Sequence, residues 1–508
     1  MTLDAIDLQV VTGALRAACE EMGAALVRSA HSANIKERRD CSSGLFDAAG
    51  EMVMQAEHIP VHLGAMPAAV AAVLGEDHSA GRPWIVNDPF RGGTHLPDIT
   101  VITPVLAGGP GGELLGFAAN RAHHADVGGR VPGSMPADST TLAEEGVVIA
   151  PRVLGEAAID ELVAQMRQPD QRRADLRAQL AANRIGARRL AELAERLGAA
   201  ALREATAAVL DYAERRTRAC IAALPDGPRE ARDVLEAIEG DIELRLVATV
   251  DGDRLVLDFA GSARQHRGNL NCPLAVTRSA AYFAVRVLTD PDVPPSAGAY
   301  RPIEVRAPEG SLLHARATAG GEAPAVAGGN VETSSRVADL VLAAFGRALG
   351  QGTMNNVTLG SEGGAGAPGF TYYETLGGGQ GACPDADGPS AVHVAMSNTL
   401  NTPVEALELE FPLRVVRHAI RRGSGGAGRH RGGDGLVREL EALAPMSYAL
   451  ITERRRHAPP GADGGEPGAR GRNLLNGEPL AAKASGELRP GDRLAIQTPG
   501  GGGHGAPG

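Results

Sequence analysis

The chain has 508 residues and a net charge of −11, and its length predicts several subdomains. Only 3% of its residues are aromatic, so their cores are expected to consist mainly of Ala, Val, Leu and Ile. No basic stripe or run of mixed basic and aromatic residues is present, which argues against a nucleic-acid partner. The five scattered cysteines, the lack of a leader peptide and the lack of a membrane-spanning run predict a cytoplasmic protein with free thiols.

The N-terminal part of the chain mixes helical and strand patterns. Apolar residues recur every three or four positions from Asp4 to Ser32, which predicts a helix. The alternating stretch SSGLFDAAGEMVMQA predicts a β-hairpin, and Met66 to Leu74 is typical of a short helix. Three strands are then expected, with the sequences WIVND, DITVITPVL and ELLGFAAN. These elements form a predicted α+β region over residues 1–157.

The middle of the chain has a mainly helical pattern. Residues 158 to 224 are rich in Ala, Leu, Arg and Glu, with apolar residues at helical spacing. Gly186 and Gly198 are expected to interrupt the helices. We predict a helical region over residues 158–235 that serves as a scaffold or an oligomer-forming surface.

The remaining part, residues 236–508, is predicted to be a second α+β region. Two alternating strands meet at a DGD turn from Asp241 onward, and a helix is expected from Val276 to Leu288. A Gly-Gly-Asn turn precedes another helix, which Asn330, Thr333 or Ser334 would cap. This turn lacks the spacing of a phosphate-binding loop, so no nucleotide site is predicted. The overall expectation is an α+β fold of closely packed subdomains, with mixed and antiparallel sheets.

Metal-capable side chains are concentrated near the ends of the predicted strands. Seven of the 14 histidines fall before residue 125. The segments NDPFRGGTHLPD and ANRAHHADVGGRVPGSMP together contain His95, Asp98, His123, His124 and Asp126, while Asp40, His58 and His62 lie upstream. A divalent metal needs imidazole and carboxylate donors that converge from several loops. The set favours a metal or polar catalytic centre, although each motif alone is also compatible with an ordinary turn.

Ordered motifs along almost the whole chain resemble the B subunit of the N-methylhydantoinase and 5-oxoprolinase family. This family also includes the matching subunit of acetone and acetophenone carboxylases. The resemblance rests on the segments NIKERRD, HIPVHLGAMP, NDPFRGGTHLPDITVITPV, RAHHADVGG, PGSMP, DLRAQLAANRIG, GGNVETSSRV, GTMNN, YYETLGGGQGA, NTPVEALELEFPLRV, GSGGAGRHRGGDGLVRE and PGGGGHG.

The resemblance implies an activity shared between two subunits. Such enzymes cleave cyclic amides, or carboxylate ketones, at the expense of ATP. The ATP site belongs to a separate A subunit of the sugar-kinase and actin type, so a hetero-oligomer is expected. The B subunit carries a divalent metal, for which zinc, manganese and iron would all suit nitrogen and oxygen donors.

The resemblance also assigns roles to individual residues. It indicates His95, Asp98 and His123 as metal ligands, and Asp40 as a further ligand or a supporting carboxylate. His124 and Asp126 are the next candidates, and His124 or Glu57 is expected to transfer protons. The metal would activate a water toward the amide carbon.

Three functions remain open at this point. The first is the metal-bearing subunit of an ATP-dependent hydrolase for a hydantoin, 5-oxoproline or a related lactam. The second is a subunit of a ketone carboxylase, and the third is a non-catalytic scaffold for the A subunit. The chain departs from the family pattern in DCSSGLF at 40–46 and PPSAGAY at 294–300, so the substrate pocket is expected to differ from those of its relatives.

Overall fold

The computed structural model describes residues 5–57, 59–317, 321–364 and 368–508, with the main chain alone for Glu57. In these ranges the α-helices are α1 (Ala5–Ser29), α2 (Ala33–Lys36), α3 (Ala65–Ala71), α4 (Glu156–Val163), α5 (Pro169–Leu197), α6 (Ala199–Ala222), α7 (Leu274–Leu288), α8 (Ala297–Tyr300), α9 (Ser334–Ala344) and α10 (Val404–Glu410). The strands are β1 (Cys41–Asp47), β2 (Met52–Glu57), β3 (Trp84–Val86), β4 (Asp98–Leu106), β5 (Leu114–His123), β6 (Arg152–Val153), β7 (Gly227–Ala237), β8 (Gly240–Asp251), β9 (Arg254–Asp258), β10 (Ile303–Arg306), β11 (Asn356–Ser361), β12 (Phe370–Glu374), β13 (Leu413–Arg421), β14 (Gly435–Ala442), β15 (Met446–Ile451), β16 (Arg472–Leu475), β17 (Glu478–Leu480), β18 (Lys483–Leu488) and β19 (Arg493–Gln497). Short 3₁₀-helices span Pro60–His62, Pro89–Arg91 and Leu142–Glu144, and a π-helix spans Gly329–Thr333.

A six-stranded antiparallel sheet with the order β2-β1-β5-β4-β3-β6 organises the N-terminal part. Helices α1 and α5 cover one face of this sheet, where Leu15, Met22 and Leu190 join one buried apolar cluster. Gly186 lies inside α5 and does not interrupt it, contrary to the prediction. A Cβ there would lie 2.2 Å from Met22 Sδ, so glycine allows α1 and α5 to pack closely. Gly198 does separate α5 from α6.

Three further sheets follow along the chain. Their orders are β10-β9-β8-β7, β12-β11-β15-β18 and β13-β14-β19-β16-β17. The four sheets and the helices between them confirm the predicted α+β fold. Within the segment predicted to be mainly helical, strand β7 begins at Gly227 and pairs with β8 over its whole length. Its helix-favouring Ala, Arg and Glu residues are overridden by this pairing, because strand formation depends on neighbouring strands more than on intrinsic propensity.

The Gly-Gly-Asn segment also differs from its prediction as a capped turn. Residues Gly329–Thr333 form a π-helix that continues directly into α9, and no side chain caps the junction. A Cβ on Gly329 would lie 1.8 Å from the carbonyl oxygen of Asn271, so the glycine allows close contact with the loop before α7. Among the helices of the described residues, none has an apolar stretch long enough to cross a lipid bilayer.

Candidate metal centre

Three neighbouring strands of the six-stranded sheet bring acidic and imidazole side chains to one edge. Asp98 is the first residue of β4 and lies opposite His123, the last residue of β5. The main-chain N–H of His123 donates to the carbonyl oxygen of Asp40, which directly precedes β1. Directly opposed residues in an antiparallel pair hold their side chains about 5 Å apart. The strand register therefore places Asp98, His123 and Asp40 in one row.

The loop before β4 adds His95 to this row. Asp88 caps the short helix Pro89–Arg91 by accepting a hydrogen bond from Phe90 N. Gly93 lies so close to the carbonyl oxygen of Asn87 that a Cβ would be only 2.1 Å from it. The resulting tight loop places His95, three residues before Asp98 in the chain, next to that carboxylate. Sequence spacing alone would leave the loop conformation open, and the glycine contacts fix it.

His95, Asp98 and His123 form a nearly equilateral triangle of donor atoms. His95 Nε2, Asp98 Oδ1 and His123 Nδ1 lie 3.2 Å from one another in all three pairs. All three side chains are buried. Among the described residues they are the one group of three or more His, Cys, Asp or Glu residues close enough to hold a metal ion.

This triangle fits a divalent cation. Two donors that lie about 2.0–2.1 Å from one cation, at angles near 90–110°, are about 2.9–3.4 Å apart. Two imidazole nitrogens and a carboxylate oxygen facing one another at 3.2 Å repel unless protons or a cation lie between them. The donor types suit zinc, manganese or iron. These residues could therefore hold such an ion.

The neighbours of Asp98 favour its charged form despite its burial. Burial disfavours the charged carboxylate, but His95, the hydrogen bond with His123 and the nearby His62 hold the pKa of Asp98 well below its usual range. Thr94 Oγ1 donates to Asp98 Oδ2 over 2.5 Å, and His62 Nε2 lies 3.7 Å from the same oxygen. A buried carboxylate with these neighbours is fixed in position and remains available to a cation.

The aromatic ring of Tyr373 packs against His123. The imidazole stacks on the Tyr373 ring, with centroids 4.6 Å apart and planes 13° apart. The Arg38 guanidinium carbon lies 4.7 Å from the same ring centroid, and its Nη1 donates to the Tyr373 carbonyl oxygen. Burial lowers the pKa of His123, which favours the neutral ring that binds metals. Tyr373 OH donates to Asn356 Oδ1 over 2.6 Å, which fixes the stacked ring.

A small cavity adjoins these residues. It has a volume of about 20 Å³, which is room for about one water molecule. Asp40, Asp98 and His123 line one side, and the remaining walls include apolar and hydroxyl side chains from distant parts of the chain: Val61, Val331, Met354, Thr375, Met396 and Thr399. Larger cavities lie elsewhere; one of about 430 Å³ is lined by Ile238, His266 and Lys483 and does not include the candidate centre. The chemistry of the donors, not cavity size, marks the site.

The structure places His124 and Asp126 away from this cavity. Successive strand residues point to opposite faces, so His124 turns toward α5, where its Nε2 lies 2.9 Å from Gln179 Oε1. Burial lowers the pKa of His124 to about 4. Asp126 accepts hydrogen bonds from Gly128 N and Gly133 N and forms an ion pair with Arg167, so it organises its own loop.

Glu57 was predicted as a proton-transfer group, but its side chain lies outside the described residues, as does His58. Several residues near the centre had no such role assigned from the sequence. Arg38, Tyr373 and the residue pair Thr375 and Thr399 belong to segments far from His123 in the chain. Arg38 lies in the family-like segment NIKERRD, and Tyr373 and Thr375 lie in YYETLGGGQGA, but neither segment indicated a contact with the histidine.

Comparisons with known proteins agree with this architecture. The family model for hydantoinase B/oxoprolinase matches residues 4–507. The chain is 38% identical to 5-oxoprolinase 1 of Arabidopsis thaliana over 543 residues, which cover 99% of this chain and 42% of that protein. It spans about two fifths of the length of the first curated relatives it matches.

Two solved structures share the fold. The ATP-dependent caprolactamase of Pseudomonas jessenii superposes with a TM-score of 0.90 and 28% identity, over 100% of this chain and 92% of that one. A nucleotide-free acetone carboxylase superposes with a TM-score of 0.84 and 18% identity, over 98% of this chain and 75% of the other. At that lower identity the likeness concerns the fold alone.

Proposed function

The chain belongs to the hydantoinase B/oxoprolinase family, and we propose that it is the metal-bearing subunit of an ATP-dependent enzyme that hydrolyses a cyclic amide. The observation that carries the proposal is the buried triangle of His95, Asp98 and His123 beside a small cavity. The names of its relatives supply the substrate class: a hydantoin, 5-oxoproline or a related lactam. Since the longer 5-oxoprolinases extend well beyond the matched part, the ATP-dependent step is assigned to a separate A-type subunit.

A division into two subunits is supported by the length of the matched chains. This chain covers 92% of the solved caprolactamase chain but only 42% of the Arabidopsis 5-oxoprolinase. The same unit therefore occurs both as most of one chain and as part of a longer one. We assign it a partner that supplies ATP-dependent activation of the amide oxygen.

The residues of the centre have distinct roles in this proposal. His95, Asp98 and His123 would hold a zinc, manganese or iron ion, with Asp40 close enough in the row to assist. When bound, the ion would supply Lewis acidity and lower the pKa of a neighbouring water. Thr94 and Tyr373 keep Asp98 and His123 in fixed orientations. The buried position of these side chains strengthens the electrostatic interactions between them.

Amide hydrolysis needs a water and an activated carbonyl carbon at the same place. The cavity has room for about one water beside Asp98 and His123, and its other walls include the apolar side chains of Val61 and Met354. Asp40 lines the same cavity, and in this proposal it accepts a proton from that water. The proposal requires the cavity to widen for the cyclic substrate, whose volume exceeds about 20 Å³.

The proposal is tested with the chain co-expressed with an A-type ATP-binding subunit. Ring opening of 5-oxoproline, hydantoin and caprolactam is measured with and without ATP, alongside metal content by elemental analysis. We expect His95→Ala to lose both metal and turnover, while the exposed-site control His457→Ala keeps both. Turnover by a metal-free His95→Ala complex would contradict the metal role and favour a scaffold.

The ketone carboxylase function is examined in the same complex. The fold shared with acetone carboxylase motivates an assay of acetone with bicarbonate and ATP. Formation of acetoacetate without any ring opening would replace the hydrolase proposal. Ring opening without acetoacetate supports it.

A further inference from the structure

The buried side-chain oxygen of Asn330 lacks a hydrogen-bond partner among the described residues. Asn330 is the second residue of the π-helix Gly329–Thr333 and lines the cavity beside Asp98 and His123. Only 3% of its surface is exposed, and its Oδ1 accepts no hydrogen bond from the described residues. Buried amide groups are nearly always hydrogen-bonded, because an unpaired one lowers stability. The missing partner is therefore expected to be something that enters the cavity.

Other asparagines around Asn330 are fully engaged. Asn269 donates to the carbonyl oxygen of Pro136 over 2.8 Å. Asn271 donates to the carbonyl oxygens of Gly268 and Ala325 and accepts from His266 N. Asn356 accepts from Tyr373 OH. Other buried groups nearby, such as Glu332 Oε2 and His123 Nε2, also lack partners. Among these four asparagines, however, Asn330 is the one whose side-chain oxygen is unpaired.

The main chain holds Asn330 in place. Ser334 Oγ donates to the Asn330 carbonyl oxygen over 2.5 Å. Gly329 packs against the Asn271 carbonyl oxygen so closely that a Cβ would lie 1.8 Å from it. A π-helical turn is uncommon and frequently occurs at functional sites, where it re-aims a side chain. These contacts fix the main chain at Asn330, and the residue lines the cavity from that position.

We propose that Asn330 binds the ring amide of the cyclic substrate, an inference that rests on the proposed function. A small lactam ring forces its amide to be cis, so the N–H and the C=O lie on the same edge. A carboxamide matches that edge, because its oxygen accepts from the ring N–H and its N–H donates to the ring carbonyl. Asn330 is thus a substrate-binding residue that recognises the group common to hydantoins, 5-oxoproline and simple lactams.

The same side chain also suits the activated form of the substrate. Transfer of the γ-phosphoryl group of ATP to the amide oxygen gives ADP and an imidate phosphate, and the ring N–H proton is released to solvent, so the ring nitrogen becomes an acceptor. The N–H of Asn330 can donate to that nitrogen. Met354 and Met396 form part of the cavity wall, and their flexible side chains can move aside for the ring. Their apolar surfaces, with that of Val331, match the methylene groups of a lactam.

The test compares binding of 2-pyrrolidinone with that of N-methyl-2-pyrrolidinone, which lacks the N–H. Calorimetry is done on the full chain loaded with zinc or manganese. The variants are Asn330→Ala and Asn330→Leu, because leucine fills the space without forming hydrogen bonds. The matched control is Asn473→Ala, which removes a buried asparagine that is fully paired and remote from the cavity. Metal content and thermal melting verify that each variant is folded and loaded.

Wild type and Asn473→Ala are expected to prefer 2-pyrrolidinone by about tenfold, the value of one hydrogen bond, and both Asn330 variants are expected to lose that preference. A tenfold preference that persists in Asn330→Leu would overturn the assignment. So would a wild-type chain that binds neither compound. ATP-dependent ring opening by the wild-type complex is measured separately, so its absence alongside a normal binding preference would count against the proposed function only.

Discussion

Replacing Tyr373 separates two contributions to the candidate metal centre. Tyr373→Phe keeps the ring that stacks on His123 at 4.6 Å and removes only the hydroxyl that donates to Asn356 Oδ1. Tyr373→Leu removes the hydroxyl, the stack and the contact with the Arg38 guanidinium. Comparing the two variants therefore separates the effect of Tyr373 on the orientation of the His123 imidazole from its effect on the free energy of unfolding.

The expected magnitudes follow from these contacts. In Tyr373→Phe, a buried acceptor on Asn356 is left unpaired, which costs about 1–3 kcal/mol of the free energy of unfolding. In Tyr373→Leu, the lost stack and cation–π contact add about 1–3 kcal/mol. Loss of a group that orients a metal-binding histidine weakens metal affinity by about 10–100-fold. We expect that loss in Tyr373→Leu alone.

The assay is competition for zinc or manganese against a coloured chelator, together with thermal melting of each chelator-treated chain. Tyr373→Phe should melt below wild type and compete for metal as wild type does. Tyr373→Leu should melt lower still and compete at least tenfold less well. An equal loss of metal affinity in both variants would refute the reasoning, because the ring would then not be the group that orients His123.

Three further predictions test other parts of the structure. Burial and the nearby Glu453 raise the pKa of Glu332 from 4.5 to about 8. Between these two pH values the folded chain keeps a proton that the unfolded chain releases. The free energy of unfolding should therefore fall as the pH rises from about 4.5 to 8. Glu332→Gln cannot ionise, and its melting temperature should gain on wild type toward pH 8; parallel pH profiles would show that Glu332 ionises normally. Gly501→Ala would place a Cβ 2.0 Å from the Gln380 carbonyl oxygen and should lower the melting temperature sharply. Gly13 lies in α1 with open space around it, so Gly13→Ala should stabilise the protein by up to about 1 kcal/mol. Similar melting temperatures of the two variants would argue against the close packing of the C-terminal glycines. Arg121→Met removes the guanidinium that donates to Thr100 Oγ1 and to the carbonyl oxygen of Gly92, in the loop that carries His95. Metal retention should therefore decrease. Unchanged metal retention would mean that the Arg121 contacts are not needed to hold this loop.

Part of the candidate ligand triangle could be predicted from the sequence, because Asp98 and His123 lie at strand ends. The patterns around DITVITPVL and ELLGFAAN predict two adjacent strands, and Asp98 and His123 fall at their neighbouring ends. Sequence patterns place a residue at a strand end more readily than they define its side of the sheet. For this reason His123 and His124 were proposed together, although strand alternation sends them to opposite faces.

The other walls of the site were beyond such reasoning. No local pattern links Tyr373 or Asn330 to His123, because their contacts depend on how the later sheets pack against the first. Asn330 was expected to cap a helix, which is the common role of asparagine before a helical pattern. The π-helix that redirects it depends on the close approach of Gly329 to the Asn271 loop, a tertiary contact.

The distance along the chain between the walls of the cavity has a consequence for biosynthesis. Asp40 and Thr399 line the same small space, although hundreds of residues separate them. At ribosomal rates of about 5–20 residues per second, the second wall emerges roughly 20–70 s after the first. Until then the cavity beside Asp98 and His123 lacks the wall that Thr399 supplies. The candidate centre is therefore complete only after most of the chain has been synthesised.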